Sequence, residues 1–225
     1  MTQFIGIVCG LKSEAAAVRA ATDASTRQKL QIGVSGADAA RAERIAMDFA
    51  DAGAAAILSI GVSGGLDPSL APGAFVLAHV VKTDDGDIHN PAQLVTASEI
   101  VRPIYGASKI IQTADEKSRI FARTGAVAVD MESAGAAAAA LRAGVPFLAA
   151  RAIADPASAA LPPAAMNAVA PDGSTKVLAT LGKCILAPAQ FPALMELGGY
   201  SAIATKTLRN RLGGLFADLF LRLDL

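Results

Sequence analysis

The sequence predicts an α/β protein, a three-layer αβα sandwich in which helices cover both faces of a central sheet. Three observations carry that expectation. The candidate strands are short runs of Val, Ile, Leu and Ala without polar alternation, as expected of strands buried on both faces. Stretches of helical length lie between them, and strand–helix alternation is how such sheets are built. Apolar residues make up 53% of the 225 positions but aromatics only 4%, so small aliphatic side chains on closely packed helices must fill the core. No linker divides the chain, and residues 1–225 read as one domain.

Residues 4–9 read as the first strand, broken by Gly10, with Ser13 as the N-cap of a helix through EAAAVRAA. A second strand is expected over 30–34, and a helix over 37–52 that stops at Gly53. A strand over 55–60 runs into a glycine turn at 61–65. Pro72 and Gly73 lead into a strand over 74–81, and 84–90 reads as a polar loop. A short strand is expected over 109–112, a helix over 115–123, a strand over 126–129 and, directly after it, a helix over 131–142 ended by Gly144. Residues 146–153 form another buried strand. A loop rich in Ala and Pro follows over 155–173, then helices near 175–186, 189–197 and 201–221.

The bulk composition narrows the function classes. Twenty basic and 20 acidic residues give zero net charge, which excludes a general nucleic-acid binder. Two cysteines, Cys9 and Cys184, cannot form a disulfide framework and fit a reducing cytoplasm. Two histidines and two cysteines without ligand-like spacing leave no expected metal site. The start, MTQFIGIVCGLKSE, has no basic leader, so a secretory signal is not expected. The uncharged run 133–141 is too short to span a bilayer.

GVSGG, residues 61–65, matches a nucleophile-elbow pattern that would make Ser63 a nucleophile. Such an elbow needs a helix after the serine, and Leu66-Asp67-Pro68 follows instead. The other reading is a strand end whose glycines let a ligand approach the backbone, at the edge where open α/β sheets bind ligands. Three carboxylates lie at comparable strand ends: Glu14, Glu132 and Asp155. Each taken singly is an ordinary helix-start or turn residue; parallel strands would bring all three together. Arg151, inside an apolar strand, requires a buried carboxylate or a bound anion as partner.

Four segments resemble those of one family, in order, over residues 3–155. VAVDMESAGAAAAA (127–140) resembles its Val-Glu-Met-Glu ribose-binding segment and RAIADPA (151–157) its Arg-Ala-Ile-Ser-Asp segment. IGIVCGLKSEA (5–15) resembles its N-terminal strand and glutamate, and SIGVSGGLDPSLAPG (59–73) its glycine turn. This is the purine nucleoside phosphorylase and methylthioadenosine/adenosylhomocysteine nucleosidase superfamily. GLKSEA, GGLDPSLAPG, ALPPAAMNAVAPDG and QFPALMELGGYSAIATKTLRN are further similar to its hopanoid-associated phosphorylase branch, which is linked to removing adenine from adenosylhopane.

The resemblance implies the nucleoside phosphorylase fold, with a mixed, partly barrel-like sheet, and cleavage of an N-glycosidic bond through an oxocarbenium-like transition state. It implies Asp155 as the general acid at purine N7, Glu132 as acceptor for the ribose 2′- and 3′-hydroxyls, and Met131 beneath the sugar. Glu14 matches the residue that activates water, and Arg151 would orient the nucleophile or an anionic cosubstrate. The backbone of Gly61, Val62, Ser63 and Gly64 would line the sugar and nucleophile pocket, and Ile110 and Ile111 the purine. Val62 stands where many members bind phosphate through Ser or Thr, and Ser59 where hexameric bacterial phosphorylases carry arginine. Both departures disfavour phosphate as cosubstrate, while Glu14 favours water. Ala154 stands where Ser is common.

No cofactor is implied. A homo-oligomer is, since members of the family assemble and some borrow a site residue from a neighbour. Near the end, Leu208, Leu212, Leu215, Phe216, Leu219, Phe220 and Leu223 form an apolar helical stripe flanked by Lys206, Arg209, Arg211 and Arg222. It reads either as packing on the domain or on another subunit, or as a peripheral membrane contact that admits a lipid-linked nucleoside. The leading expectation is an adenine-releasing enzyme acting on a 5′-substituted adenosine, adenosylhopane of hopanoid biosynthesis by the resemblance, with phosphate or water as nucleophile. The alternatives are a methylthioadenosine-type nucleosidase of soluble purine salvage and a nucleoside-binding module without turnover.

Overall fold

The computed structural model describes residues 3–91, 94, 101–163, 165, 169–175 and 190–225. Among these, nine strands form one mixed sheet. They are β1 (Ile5–Cys9), β2 (Leu30–Val34), β3 (Ala56–Gly65), β4 (Phe75–Ala78), β5 (Val80–Lys82), β6 (Asp87–His89), β7 (Ile104–Gly106), β8 (Ala128–Asp130) and β9 (Phe147–Asp155). The order is β2-β1-β3-β8-β7-β5-β6, with β9 paired to both β3 and β4. β3 is the hub. One edge runs parallel to β9 throughout; the other pairs parallel with β1 as far as Ser59, then antiparallel with β8 at Gly64 and Gly65. β3 thus outlasts its first neighbour and takes up a second on the same edge.

Among the described residues six helices flank the sheet: α1 (Lys12–Ala20), α2 (Ala24–Gln28), α3 (Ala39–Asp51), α4 (Ala114–Thr124), α5 (Ser133–Ala143) and α6 (Phe191–Leu223). Alternation along β9 shows the three layers. Ala150, Ala152 and Ala154 join the cluster formed with Ala15 and Val18 of α1 and Leu208, Leu212, Leu215 and Leu219 of α6. Phe147, Ala149 and Ile153 join the opposite cluster with Ala42 and Ala46 of α3 and Ala136, Ala137 and Ala140 of α5. The shortage of aromatics is explained here. At Gly135 an added Cβ would collide with the carbonyl oxygen of Ala39, so α3 and α5 meet backbone to backbone.

Several elements differ from the sequence expectation, each for a local reason. GVSGG is not a turn: β3 continues through Gly65, with a register shift between Ser63 and Gly64 against β9. The strand expected over 74–81 is two, β4 pairing with β9 and β5 with β6 and β7. The supposed loop 84–90 contains β6, the return arm of that hairpin. No strand forms over 109–112; its partners are taken by β7, whose Tyr105 and Gly106 pair with Val129 and Asp130. Ser13 is not the N-cap: α1 starts at Lys12 with Leu11 in the capping position, two residues earlier than expected, because the Glu14 carboxylate accepts the Leu11 amide at 2.8 Å. The helices expected over 189–197 and 201–221 are one helix, α6, which passes through Gly198 and Gly199; two glycines weaken a helix by about 1 kcal/mol each without breaking it. The helix expected over 175–186 lies outside the described residues.

The apolar tail stripe is core: Leu208, Leu212, Leu215, Phe216 and Leu219 are all buried against the sheet. That leaves Phe191, Met195, Ile203 and Leu221 as the exposed large apolar residues of α6. No helix among the described residues is long and apolar enough to cross a membrane.

The α3–α5 contact makes a direct prediction. Gly135→Ala must separate two packed backbones and is expected to cost about 1–3 kcal/mol, read as a lower urea midpoint. An unchanged midpoint would show that the helices can move apart freely.

Candidate functional site

Arg151 lies in the middle of the sheet, 1% exposed. Its Nε bonds Asp130 Oδ2 at 2.7 Å, its Nη1 the carbonyls of Ser59 and Ala150 at 2.6 and 3.1 Å, and its Nη2 Ser59 Oγ at 2.6 Å. The buried carboxylate that a sheet arginine requires is therefore Asp130, the last residue of β8. The same carboxylate holds the next element: Asp130 Oδ1 accepts the amides of Glu132 and Ser133 at 2.9 and 2.8 Å, capping the start of α5. One side chain thus fixes Arg151 and the position of Glu132.

Glutamates occupy the places where glycine side chains would be. The Glu14 carboxylate accepts the amide of Val62 at 2.8 Å, and an alanine Cβ at Gly61 would lie 2.6 Å from Glu14 Oε1. A Cβ at Gly10 would collide with Glu132 Oε1. At Gly64 it would lie 3.4 Å from Asp155 Oδ2. The glycines of the 61–65 segment thus make room for carboxylates as well as exposing backbone. Burial pushes the Glu14 carboxyl up. Burial first, then the neighbouring Asp130 and Glu14, push Glu132 up to about 8. Arg151 pulls both back.

Strand alternation puts Ser63 on the face of Gly61, Arg151 and Asp130, while Val62 leans on the apolar cluster under α6. Ser63 Oγ is buried and bonds no group among the described residues. With no base on its hydroxyl and a continuous strand around it, Ser63 lacks both features of an activated nucleophile.

Asp155 ends β9, 7% exposed. Its Oδ2 pairs with the ammonium of Lys117, a fully buried lysine on α4. Burial raises the Asp155 carboxyl, and Lys117 offsets part of that rise. Asp155 lines a cavity of about 130 Å³ with Gly64, Ile110, Ile111, Met131 and Leu161. A larger cavity of about 540 Å³, between α3, α5 and the β5–β6 hairpin, holds none of these acids.

The structure therefore gathers Asp155, Met131, Gly64, Ile110 and Ile111 around one cavity, and Glu14, Glu132, Arg151 and Gly61 beside it. Asp130 and Lys117 were not singled out in the sequence. The signal for Lys117 was present: it shares a helix face with Ile120, three residues on, and both are buried. For Asp130 the signal was the unmet requirement of Arg151.

Comparison with known proteins agrees with this architecture. Residues 99–185 match the family model described as the phosphorylase superfamily. No curated protein matches the sequence. Among solved structures, a futalosine hydrolase of Helicobacter pylori superposes with a TM-score of 0.69 at 15% identity, over 96% of this chain and 99% of its own. A 5′-methylthioadenosine/S-adenosyl homocysteine nucleosidase from the same organism gives 0.71 at 14%, over 97% and 99%. The corresponding nucleosidase of Colwellia psychrerythraea, in complex with adenine, gives 0.66 at 17%, over 97% and 96%. The nucleoside phosphorylase fold expected from the sequence is thus borne out.

The Glu132 environment has a measurable consequence. Between the ordinary 4.5 and about 8, the folded protein holds a proton on Glu132 that the unfolded chain has already released. This contribution to stability is complete below the ordinary value and is lost as pH rises through about 8. Glu132→Gln is expected to raise the melting temperature above pH 8 and change it little below pH 5. Each kcal/mol should appear as about 2–4 °C in a chain of this size. Equal effects at both pH values would contradict the assignment.

Proposed function

We propose that the protein cleaves the N-glycosidic bond of a 5′-substituted adenosine and releases adenine, with water as the nucleophile. The observation that carries this reading is the convergence of Asp155, Glu132 and Glu14, each buried, at the ends of β9, β8 and the segment after β1. Cleaving the bond sets three tasks, one for each acid. As the C1′–N9 bond breaks, its electron pair moves to the purine, and Asp155 gives a proton to N7. Glu132 accepts hydrogen bonds from the ribose diol, with Met131 beneath the ring. Glu14 takes a proton from the water that captures the ribosyl cation.

Water is preferred to phosphate on two grounds. Glu14 lies within the field of a buried Arg151 that has four of its five N–H donors occupied by protein, which leaves little for an anionic cosubstrate. Val62 offers no hydroxyl. The superposed nucleosidases and the phosphorylase-superfamily match support the reaction class. The finer proposal is a lipid-linked substrate such as adenosylhopane. It draws support from the sequence resemblance and from Phe191, Met195 and Ile203, an exposed apolar run on α6 suited to a membrane surface. Assembly into a homo-oligomer is part of the same proposal and rests on the resemblance alone.

The deciding experiment is adenine release from adenosines with short and long 5′ groups, with and without phosphate. Release is expected without phosphate, and Asp155→Asn should lower it by about 10²–10⁴-fold, the usual worth of a general acid. A strict phosphate requirement would overturn the water reading. Preference for a short 5′ group would favour a methylthioadenosine-type nucleosidase, and tight adenine binding with no release from any substrate would leave a binding module.

A further inference from the structure

We propose that Lys117 is the positioning residue that makes Asp155 a competent proton donor: its ammonium binds one carboxylate oxygen and stabilises the anion that Asp155 becomes on giving up its proton. The proposal rests on the reading of Asp155 as general acid. α4 brings Lys117 to the site, its start fixed by reciprocal bonds between Thr113 and Glu116. The side chain is 1% exposed. Its three donors go to Asp155 Oδ2, to the Pro156 carbonyl at 2.9 Å and to the Ala159 carbonyl at 3.0 Å. A lysine has three donors and no more, so none is left for a ligand. Lys117 therefore acts through Asp155 and does not read the purine.

The consequence is chemical. When the proton leaves Asp155 for purine N7, a neutral carboxyl becomes a carboxylate in a pocket that shields it from water, and an isolated buried anion is strongly disfavoured. Without a counter-ion Asp155 would hold its proton too firmly. The ammonium of Lys117 favours only the anionic form, so it strengthens the acid. Burial works in the opposite sense and keeps the proton in place until the purine arrives. Asp155 Oδ1, which accepts no bond from Lys117, is the oxygen left to serve the cavity.

The other charged groups nearby are otherwise placed. Lys109, from the loop before α4, and Asp130, from β8, line the same cavity. Asp130 is bonded to Arg151 of β9, and Glu116 folds back on the amides of Gln112 and Thr113. Glu14 and Glu132 lie around Gly61 and Gly10. Among the described residues only Lys117 forms an ion pair with Asp155.

The test reads Asp155 itself, as the carboxyl infrared band that disappears in Asp155→Asn, titrated without substrate. In Lys117→Met that band is expected to titrate about 1–3 pH units higher than in the wild type, the usual effect of an adjacent opposite charge. Lys117→Arg, which keeps the charge, should leave it near the wild-type position. The alkaline limb of kcat should move upward with the band in Lys117→Met, while its plateau falls. Should that variant not fold, Lys117→Gln takes its place, with a smaller shift of the same sign. An unmoved band, with kcat lowered equally at every pH, would reduce Lys117 to a strap on residues 156–159 and overturn the proposal. A shifted band in a protein that releases no adenine from any substrate would overturn it at its premise, separately from its geometry.

Discussion

The buried pair of Arg151 and Asp130 is the interaction on which the rest of the site depends. Both side chains are almost fully withdrawn from water, 1% and 2% exposed. Removing either partner from such a pair leaves an uncompensated charge and typically costs about 3–5 kcal/mol. The pair also joins strands of different origin: Arg151 from β9, Asp130 from β8, and Ser59 of β3 through both its carbonyl and its hydroxyl. β8 is the strand that runs against β3, so this is where the parallel half of the sheet is tied to the remainder. Each acid is then a short step away along the chain. Glu132 follows Asp130 by two residues and is held by its carboxylate, and Asp155 follows Arg151 by four on the same strand.

Charge is divided between two neighbouring centres. In one, a guanidinium faces Asp130, Glu14 and Glu132, more negative charge than one cation can balance, and the glutamates respond by holding protons more firmly. In the other, a single ammonium faces a single carboxylate. The two centres meet at Asp130 and Met131, which line the cavity of Asp155. A neutral substrate whose sugar gains positive charge while its base gains negative charge would find the acid-rich centre on one side and the lysine-paired acid on the other. That match of polarity to the developing charge, more than the size of any cavity, makes this edge of the sheet the candidate site.

Much of the architecture was legible because burial on both faces leaves a plain signal. β1, β2 and β9 lie within two residues of their expected limits, since uninterrupted aliphatic runs have few other uses. Helix ends at Gly53 and Gly144 were equally clear where a positive φ demanded glycine. The 61–65 segment misled because three glycines usually mark a bend; here they mark crowding by side chains from elsewhere, which only the folded chain reveals. The strand misplaced to 109–112 failed for a related reason. Ile110 and Ile111 are apolar because they line a cavity, not because they pair. Glu14, Glu132 and Asp155 could be identified from their positions after strands, whereas Lys117 and Asp130 are partners whose meaning depends on tertiary contact.

The glycines at the sheet edge carry a further consequence, for how this sequence can change. Glycine at 61 is not required by its backbone angles; it is required because Glu14 reaches across it. Position 61 is therefore tied to position 14, not to its own neighbours in β3. A methyl group at 61 would be tolerated only alongside a shorter acid at 14, and the same bargain would bind Gly10 to Glu132. Substitutions at these sites should drift in pairs across relatives of this chain, so the spacing between main chain and carboxylate, more than either residue alone, is the inherited quantity.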